Sequence, residues 1–381
     1  MFSFGRENTS LTAKWWRNID KQILFLFVFL FLLGLFFSFS STSSVVAEKM
    51  NKQTYFFFIK HLIFVCISLV LLILISYQDK NKIIKLLTPI FFISIFLLFL
   101  VPIIGVEVKG SKRWIDFIIL PRFQPIELVK PLFILFVAKI IVLNNKTNMY
   151  SRYLFSFLVL CLIVTLLINQ PDFGQTLLLI ISWTTMVFVS GFNMIILTIL
   201  GILVLGVIVL LVYFFPSKFG YIFSRIQTFF NPKAGDNFQS QKALDAIKQG
   251  GLTGQGMGEG ILKDKVPEAH TDYIIAIISE EFGALFVLFI AILFLFIGYK
   301  VINKVFSKQD EFIKLSLVGL ISLMIFQTFI HIGVNIRLLP TTGMTLPFLS
   351  YGGSSLIGSS ILAGLILNFT RKDFERYFKN D

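Results

Sequence analysis

Charge is scarce in this sequence, and so are the usual protein ligands for metals. Asp, Glu, Lys and Arg make up 14% of the 381 residues, against 56% hydrophobic residues. A water-soluble domain of this length has no interior large enough to hide so much apolar surface, so the surplus must face lipid. Only two cysteines occur, Cys66 and Cys161, each inside an apolar run. They read as small buried hydrophobes and not as a disulfide framework. Three histidines, His61, His270 and His331, cannot supply a His-rich metal site. A glycine-rich stretch, GLTGQGMGEG at 251–260, lacks both a preceding strand and a GK[ST] ending, which excludes a dinucleotide fold or a P-loop.

What the chain does have is long apolar runs. Segments bounded by charge, Pro or Asn fall near 23–43, 54–77, 84–104, 125–143, 153–169, 175–191, 193–215, 273–299, 315–336 and 348–370. Each is about 17–27 residues, enough to cross a bilayer as a helix. Lys14, Arg17 and Lys21 precede the first run and SVVA at 44–47 follows it, as in a signal peptide. However, Ile23 to Ser40 is 18 residues without a charge, too long for a usual signal core, so it is read as a retained first helix. The expected fold is an all-α membrane protein of about ten transmembrane helices, one polytopic domain over 1–381. A long outer loop, 216–272, lies between helices 7 and 8, and a broken or re-entrant segment precedes helix 10.

Ten spans put both termini on one face. With the N-terminus inside, segments 1–22, 78–83, 144–152, 300–314 and 371–381 hold most of the short-loop Lys and Arg, as the positive-inside rule requires. Two outer segments break the pattern. The 105–124 loop carries Lys109, Lys112, Arg113 and Arg122, and 216–272 carries seven more cations. A short basic loop on the wrong side suggests an anionic ligand there. Within the longer loop, SQKALDAIKQGG at 240–251 reads as a short amphipathic helix ended by glycine. The glycine-rich stretch after it reads as a flexible connector or as a loop folding over a membrane-embedded substrate.

Five constellations on the outer side admit a structural and a chemical reading. In PEAHTDYI at 267–274, His270, Thr271 and Asp272 precede the eighth span; Thr or Asp would cap it, or Asp272 would act as a general base tuned by His270. Glu280 and Glu281, about two turns on, are charges at membrane depth and so functional by default, unless they pair with a neighbouring helix. In FQPIELVKP at 123–131, Glu127 and Lys130 share a helix face, either as a pair or with Lys130 holding an anionic headgroup. Arg113 and Trp114 are either membrane anchors or a diphosphate site suited to the guanidinium fork. Asp172 in NQPDFGQT reads as the cap of the sixth span. LLPTTGMTLPFLSYGGSS at 338–355 has the composition of a segment tolerated only where it lines a cavity.

KRWI, FQPIELVKP, QPDFGQT, PEAHTD with a following EEFG, and LPTTGMTLPFLSYGGSS occur in one order across 109–355. In these motifs the chain resembles the SEDS (shape, elongation, division and sporulation) family of peptidoglycan glycosyltransferases, its division branch more than its elongation branch. The resemblance implies polymerisation of lipid II onto an undecaprenyl-linked glycan strand in the bacterial cytoplasmic (inner) membrane, at the division septum, with both termini cytoplasmic. It implies a class B penicillin-binding protein and other division proteins as partners, and no nucleic acid. It makes Asp272 the catalytic residue and Glu127 and Lys130 its motif companions. Arg113, His270, Thr271, Glu280 and Arg337 join them as expected substrate-binding residues. No cofactor is required by it, though a divalent cation (Mg or Mn) is compatible. Ile126 stands where the family commonly has serine, which removes a hydroxyl beside Glu127. A flippase for lipid-linked precursors and a non-enzymatic scaffold are the competing classes. The first would need polar residues along a path to the inner face, and here they cluster outside.

Overall fold

The computed structural model describes residues 10–41, 55–108, 111–116, 122–143, 148–214, 216–231, 237–262 and 265–372. Lys109, the SVVA at 44–47 and the basic tail from 373 onward lie outside the described residues. With no water in a bilayer, each apolar run satisfies its own backbone as a helix. In chain order these are α1 (Leu11–Asn18), α2 (Lys21–Ser41), α3 (Phe56–Tyr77) and α4 (Lys80–Ile104). A hairpin follows, β1 (Val106–Val108) against β2 (Ser111–Trp114). Next come α5 (Ile126–Leu143), α6 (Met149–Asn169), α7 (Phe173–Val189), α8 (Met194–Phe214), α9 (Pro216–Phe230) and α10 (Phe238–Gly250). The chain closes with α11 (Ile274–Phe282), α12 (Ala284–Phe306), α13 (Glu311–Asn335) and α14 (Gly353–Thr370).

Among the described residues, seven helices are long and apolar enough to cross a membrane: α2, α3, α4, α6, α12, α13 and α14. Helices α5, α7 and α8 occupy the remaining expected spans; α5 carries Glu127, Lys130 and Lys139, and α7 is 17 residues long. Helices α5, α13 and α14 are buried almost all round, whereas α3, α4 and α6 bury one stripe and expose the rest to lipid. Small residues let α14 approach closely. A Cβ on Gly358 would sit 2.6 Å from the Glu127 carbonyl oxygen, and one on Gly353 2.5 Å from the Phe64 ring.

The expected eighth span, 273–299, is not continuous. It breaks at Gly283, whose φ is +83°, into α11 and α12. The glycine-rich stretch makes the break. Gln255 N–H donates to the Glu280 carbonyl (2.9 Å) and Gly256 N–H to that of Glu281 (3.0 Å), satisfying the open end of α11. In return Ala284 N–H donates to the Gly251 carbonyl (3.0 Å) and Leu285 N–H to that of Leu252 (3.2 Å), satisfying the start of α12. Backbones approach so closely that a Cβ on Gly254 would lie 2.3 Å from the Glu281 oxygen. This stretch is therefore a structural splice and not a loose connector.

The two ends of the described chain meet, with Lys372 N–H donating to the Asn18 carbonyl at 3.0 Å. Ion pairs Lys304–Asp20 (2.9 Å) and Lys80–Asp310 tie helices together on that face. The opposite face holds the hairpin, α9, α10 and the non-helical segment 336–352.

Candidate functional site

The site begins with a buried pair. Glu127 and Lys130 lie one turn apart on α5, their charged atoms 2.9 Å apart and each side chain 3% exposed. Two amides complete the surroundings. Gln175 of α7 donates to Glu127 Oε1 (3.2 Å), and Lys130 Nζ donates to Gln327 Oε1 of α13 (3.1 Å). Gln327 then donates to the Thr345 carbonyl at 3.0 Å. The pair thus anchors the 336–352 segment, whose Met344, Leu346, Phe348 and Leu349 are buried in the core.

That segment in turn holds the chain around Asp272. Tyr351 N–H donates to the His270 carbonyl (2.9 Å), and the Ser350 hydroxyl to the Thr271 carbonyl (2.7 Å). Fully buried Asn335 grips from the other side. Its amide donates to the Asp272 carbonyl (3.1 Å) and accepts from Ala276 N–H (3.2 Å) in the first turn of α11. Tyr273, not Asp272, occupies the cap position of α11. The backbone that carries the Asp272 carboxylate is thus pinned on two sides.

Arg113 approaches from the hairpin. Its guanidinium donates to the Gln170 carbonyl (3.3 Å) and to that of Pro171, and lies 3.7 Å from Asp172 Oδ1. Asp172 also accepts from Gln124 at 3.3 Å. Burial pushes the Asp172 carboxyl up from its ordinary value, with Arg113 opposing the shift. Between Arg113 and Asp272 stands Gly343, exposed and with φ +67°. A Cβ there would be 3.5 Å from Arg113 Nη1 and 3.5 Å from Asp272 Oδ2. The glycine leaves open the space that a carboxylate and a guanidinium face together. Gly174 lets the side chains beneath pack closely, since a Cβ on it would lie 2.6 Å from Thr342 Cβ and 2.7 Å from Met344 Sδ.

The structure brings Arg113, Asp272, Thr271 and His270 to one place, with Glu127 and Lys130 supporting it from below. The His270 ring stacks on Phe57 at 5.6 Å between centroids, and the Thr271 hydroxyl donates to Glu268 Oε2 at 3.0 Å. Glu280 is elsewhere: fully buried, it accepts from Leu262 N–H at 2.7 Å and sits against Gly260. Its carboxylate therefore serves the splice. Arg337 also points away from this cluster, donating to Gln241 Oε1 of α10 at 3.1 Å. Sequence reasoning missed Gln327, Asn335 and Arg225. The first two are amides on one apolar helix, α13. Arg225 sits on α9, whose aromatic amphipathic pattern, PSKFGYIFSRIQTFF, was the available signal.

Among the described residues, no group of three or more His, Cys, Asp or Glu converges to hold a metal ion.

Residues 21–374 match the profile of the FtsW, RodA and SpoVE family, described as cell cycle proteins. A protein of Caulobacter vibrioides named a probable peptidoglycan glycosyltransferase FtsW is 32% identical over 374 residues, 97% of this chain and 94% of its own. One of the same name from Francisella salina is 35% identical over 347 residues, 88% of this chain and 84% of its own. Among solved structures, a chain from a peptidoglycan synthase complex superposes with a TM-score of 0.73 at 23% identity, over 95% of this chain and 99% of that one. The rod shape determining protein RodA of Thermus thermophilus gives 0.67 at 23% identity, over 93% and 97%. At such identity the two structures speak for the fold.

Proposed function

The chain belongs to the FtsW, RodA and SpoVE family of cell cycle proteins, and from that membership we infer that it is a peptidoglycan glycosyltransferase polymerising lipid II into glycan strands. It works in the bacterial inner membrane at the division septum, with both termini in the cytoplasm. Its partner there is a class B penicillin-binding protein.

The observation that carries the chemistry is the facing of Asp272 and Arg113 across Gly343. In the reaction, the 4-hydroxyl of the acceptor's GlcNAc attacks the anomeric carbon of the donor's MurNAc. The new carbon–oxygen bond forms as the bond from that carbon to the phosphate oxygen breaks, and undecaprenyl diphosphate leaves with the electron pair. A sugar hydroxyl is a poor nucleophile, so Asp272 takes its proton as the bond forms, a contribution of ~10²–10⁴-fold. The leaving diphosphate gains charge, and the Arg113 guanidinium is held in advance to meet it. Attack opposite the leaving group inverts the centre, from α-linked donor to β-linked product. Glu127 and Lys130, 3% exposed and joined to each other, act as positioning residues through Gln327 and Thr345.

The test is glycan polymerisation from purified lipid II, with the partner transpeptidase present and its active-site serine blocked. Asp272→Asn keeps the size and the backbone contacts, so it should fold normally and bind the partner while polymerisation falls by ~10²–10⁴-fold. Equal polymer from mutant and wild type would remove Asp272 from the chemistry. No polymer from either, with lipid II translocation in vesicles, would favour a flippase.

A further inference from the structure

Beside the reaction site lies a second concavity, one the mechanism above does not use. It has a volume of about 350 Å³ and is walled by α9, α10 and the chain leaving α13, with Ser224, Arg225, Thr228, Asn237, Ser240 and Arg337 among its lining. Its described lining holds two guanidinium groups, several hydroxyls and amides, and no carboxylate. Among the described residues each arginine has a single neutral acceptor: Arg225 Nη1 donates to the Thr341 carbonyl (3.1 Å), and Arg337 Nη1 to Gln241 Oε1 (3.1 Å). No Asp or Glu among the described residues pairs with either one. Arg337 also holds a left-handed backbone, φ +56°, which a non-glycine residue adopts only where its surroundings impose it. Burial, with Arg113 nearby, pulls Arg225 below the ordinary guanidinium value. Two guanidinium groups lining one polar cavity, with no ion pair to either among the described residues, describe a receptor for an oxyanion.

The position selects which oxyanion. Thr341 lines the cavity, while Gly343 lies in the reaction site. Two residues of extended chain span at most about 7 Å. In lipid II the diphosphate is bonded to the reacting carbon itself, so it belongs beside Arg113. The peptide arm hangs, through a lactyl ether, from the ring carbon two bonds away and carries its carboxylates several bonds further out. We propose that the Arg225–Arg337 cavity is a second substrate subsite, one that takes a carboxylate of the peptide arm of a lipid-linked disaccharide-peptide. The proposal rests on the glycosyltransferase reading above and adds to it a means of recognising peptide-bearing substrate.

Two measurements on the full chain test it. The first is calorimetric binding of soluble disaccharide-pentapeptide, free of lipid and diphosphate, to wild type, Arg225→Gln, Arg337→Gln and Ser224→Glu. Ser224 is exposed, so a carboxylate placed there leaves the fold intact while repelling the ligand. Each variant should weaken binding at least tenfold, and amidating the peptide carboxylates should weaken wild type equally, leave the two arginine variants unchanged and relieve part of the loss in Ser224→Glu. The second is polymerisation of lipid II with and without its peptide. The variants should raise KM for the peptide-bearing lipid alone, with kcat little changed. Equal losses on both lipids would assign the cavity to the diphosphate or to structure and overturn the proposal. Arginine-independent binding of the soluble ligand would overturn it as well. If wild type binds the soluble ligand through these arginines yet makes no polymer, the subsite stands and the polymerase reading falls.

Discussion

Glu127 and Lys130 meet at 2.9 Å with 3% of each side chain exposed, and at that depth neither charge has water to fall back on. Removing one partner strands the other, a loss of about 3–5 kcal/mol for a buried pair. Glu127→Ala and Lys130→Ala should each lower the melting midpoint in detergent by an amount of that order. The double change Glu127→Gln with Lys130→Met should recover much of the stability, because no unpaired charge remains, yet leave polymerisation low. A recovery of rate along with stability would mean that the pair is only a strut. Asn335 makes a related case. Asn335→Leu removes the amide that grips Asp272's carbonyl and caps α11, so kcat should fall with KM little altered. A variant with wild-type kcat would show that the 336–352 segment alone holds Asp272.

The element that departs most from expectation is the eighth span. IIAIISEEFGALFVLF reads as one apolar helix because hydropathy reports depth and not continuity, and the groups that interrupt it come from residues 250–260. Only the pairing of two glycine-containing stretches, each needing positive φ, would have betrayed the splice. Gly254 and Gly258 separate its parts: both have positive φ, but a Cβ on Gly254 would strike the Glu281 oxygen at 2.3 Å, while one on Gly258 meets nothing within 4 Å. Each alanine substitution carries the backbone cost of about 1–2 kcal/mol. Gly254→Ala should melt lower than Gly258→Ala and expose 250–262 to protease; equal melts would deny the splice a role in stability. The helices themselves were legible, since long apolar runs admit little else in lipid. Asp272, Arg113, Glu127 and Lys130 were legible from their motifs. The amide network was not, because Gln327 and Asn335 acquire meaning only from the elements opposite them.

Across the whole molecule, the face where the two ends of the described chain meet carries the Lys304–Asp20 and Lys80–Asp310 ion pairs. Burial alone would raise Asp20 and Asp310, but the hydrogen bonds and charges of Lys304 and Lys80, with backbone N–H groups, outweigh it and hold both below 3.8. A carboxyl depressed in the folded state adds stability that is complete above its ordinary value and is lost as pH falls through the depressed one. The melting midpoint should therefore be level from neutrality to about pH 5 in this respect and then decline with acid. In the double variant Asp20→Asn, Asp310→Asn the neutral midpoint should be lower and the acid decline shallower. An unchanged acid slope would assign the decline to other groups.

The last of the described helices is also one that early helices wait for. Helix α14 packs along α3, where Asn368 donates to the Ile75 and Gln78 carbonyls at 3.1 and 2.7 Å, and it closes on Glu127 through Gly358. A chain emerging from the ribosome carries Arg113, Glu127 and Asp272 long before Gly343 or α14 exists to set them. A product cut short before that helix inserts should therefore carry Arg113, Glu127 and Asp272 and yet make no polymer from lipid II.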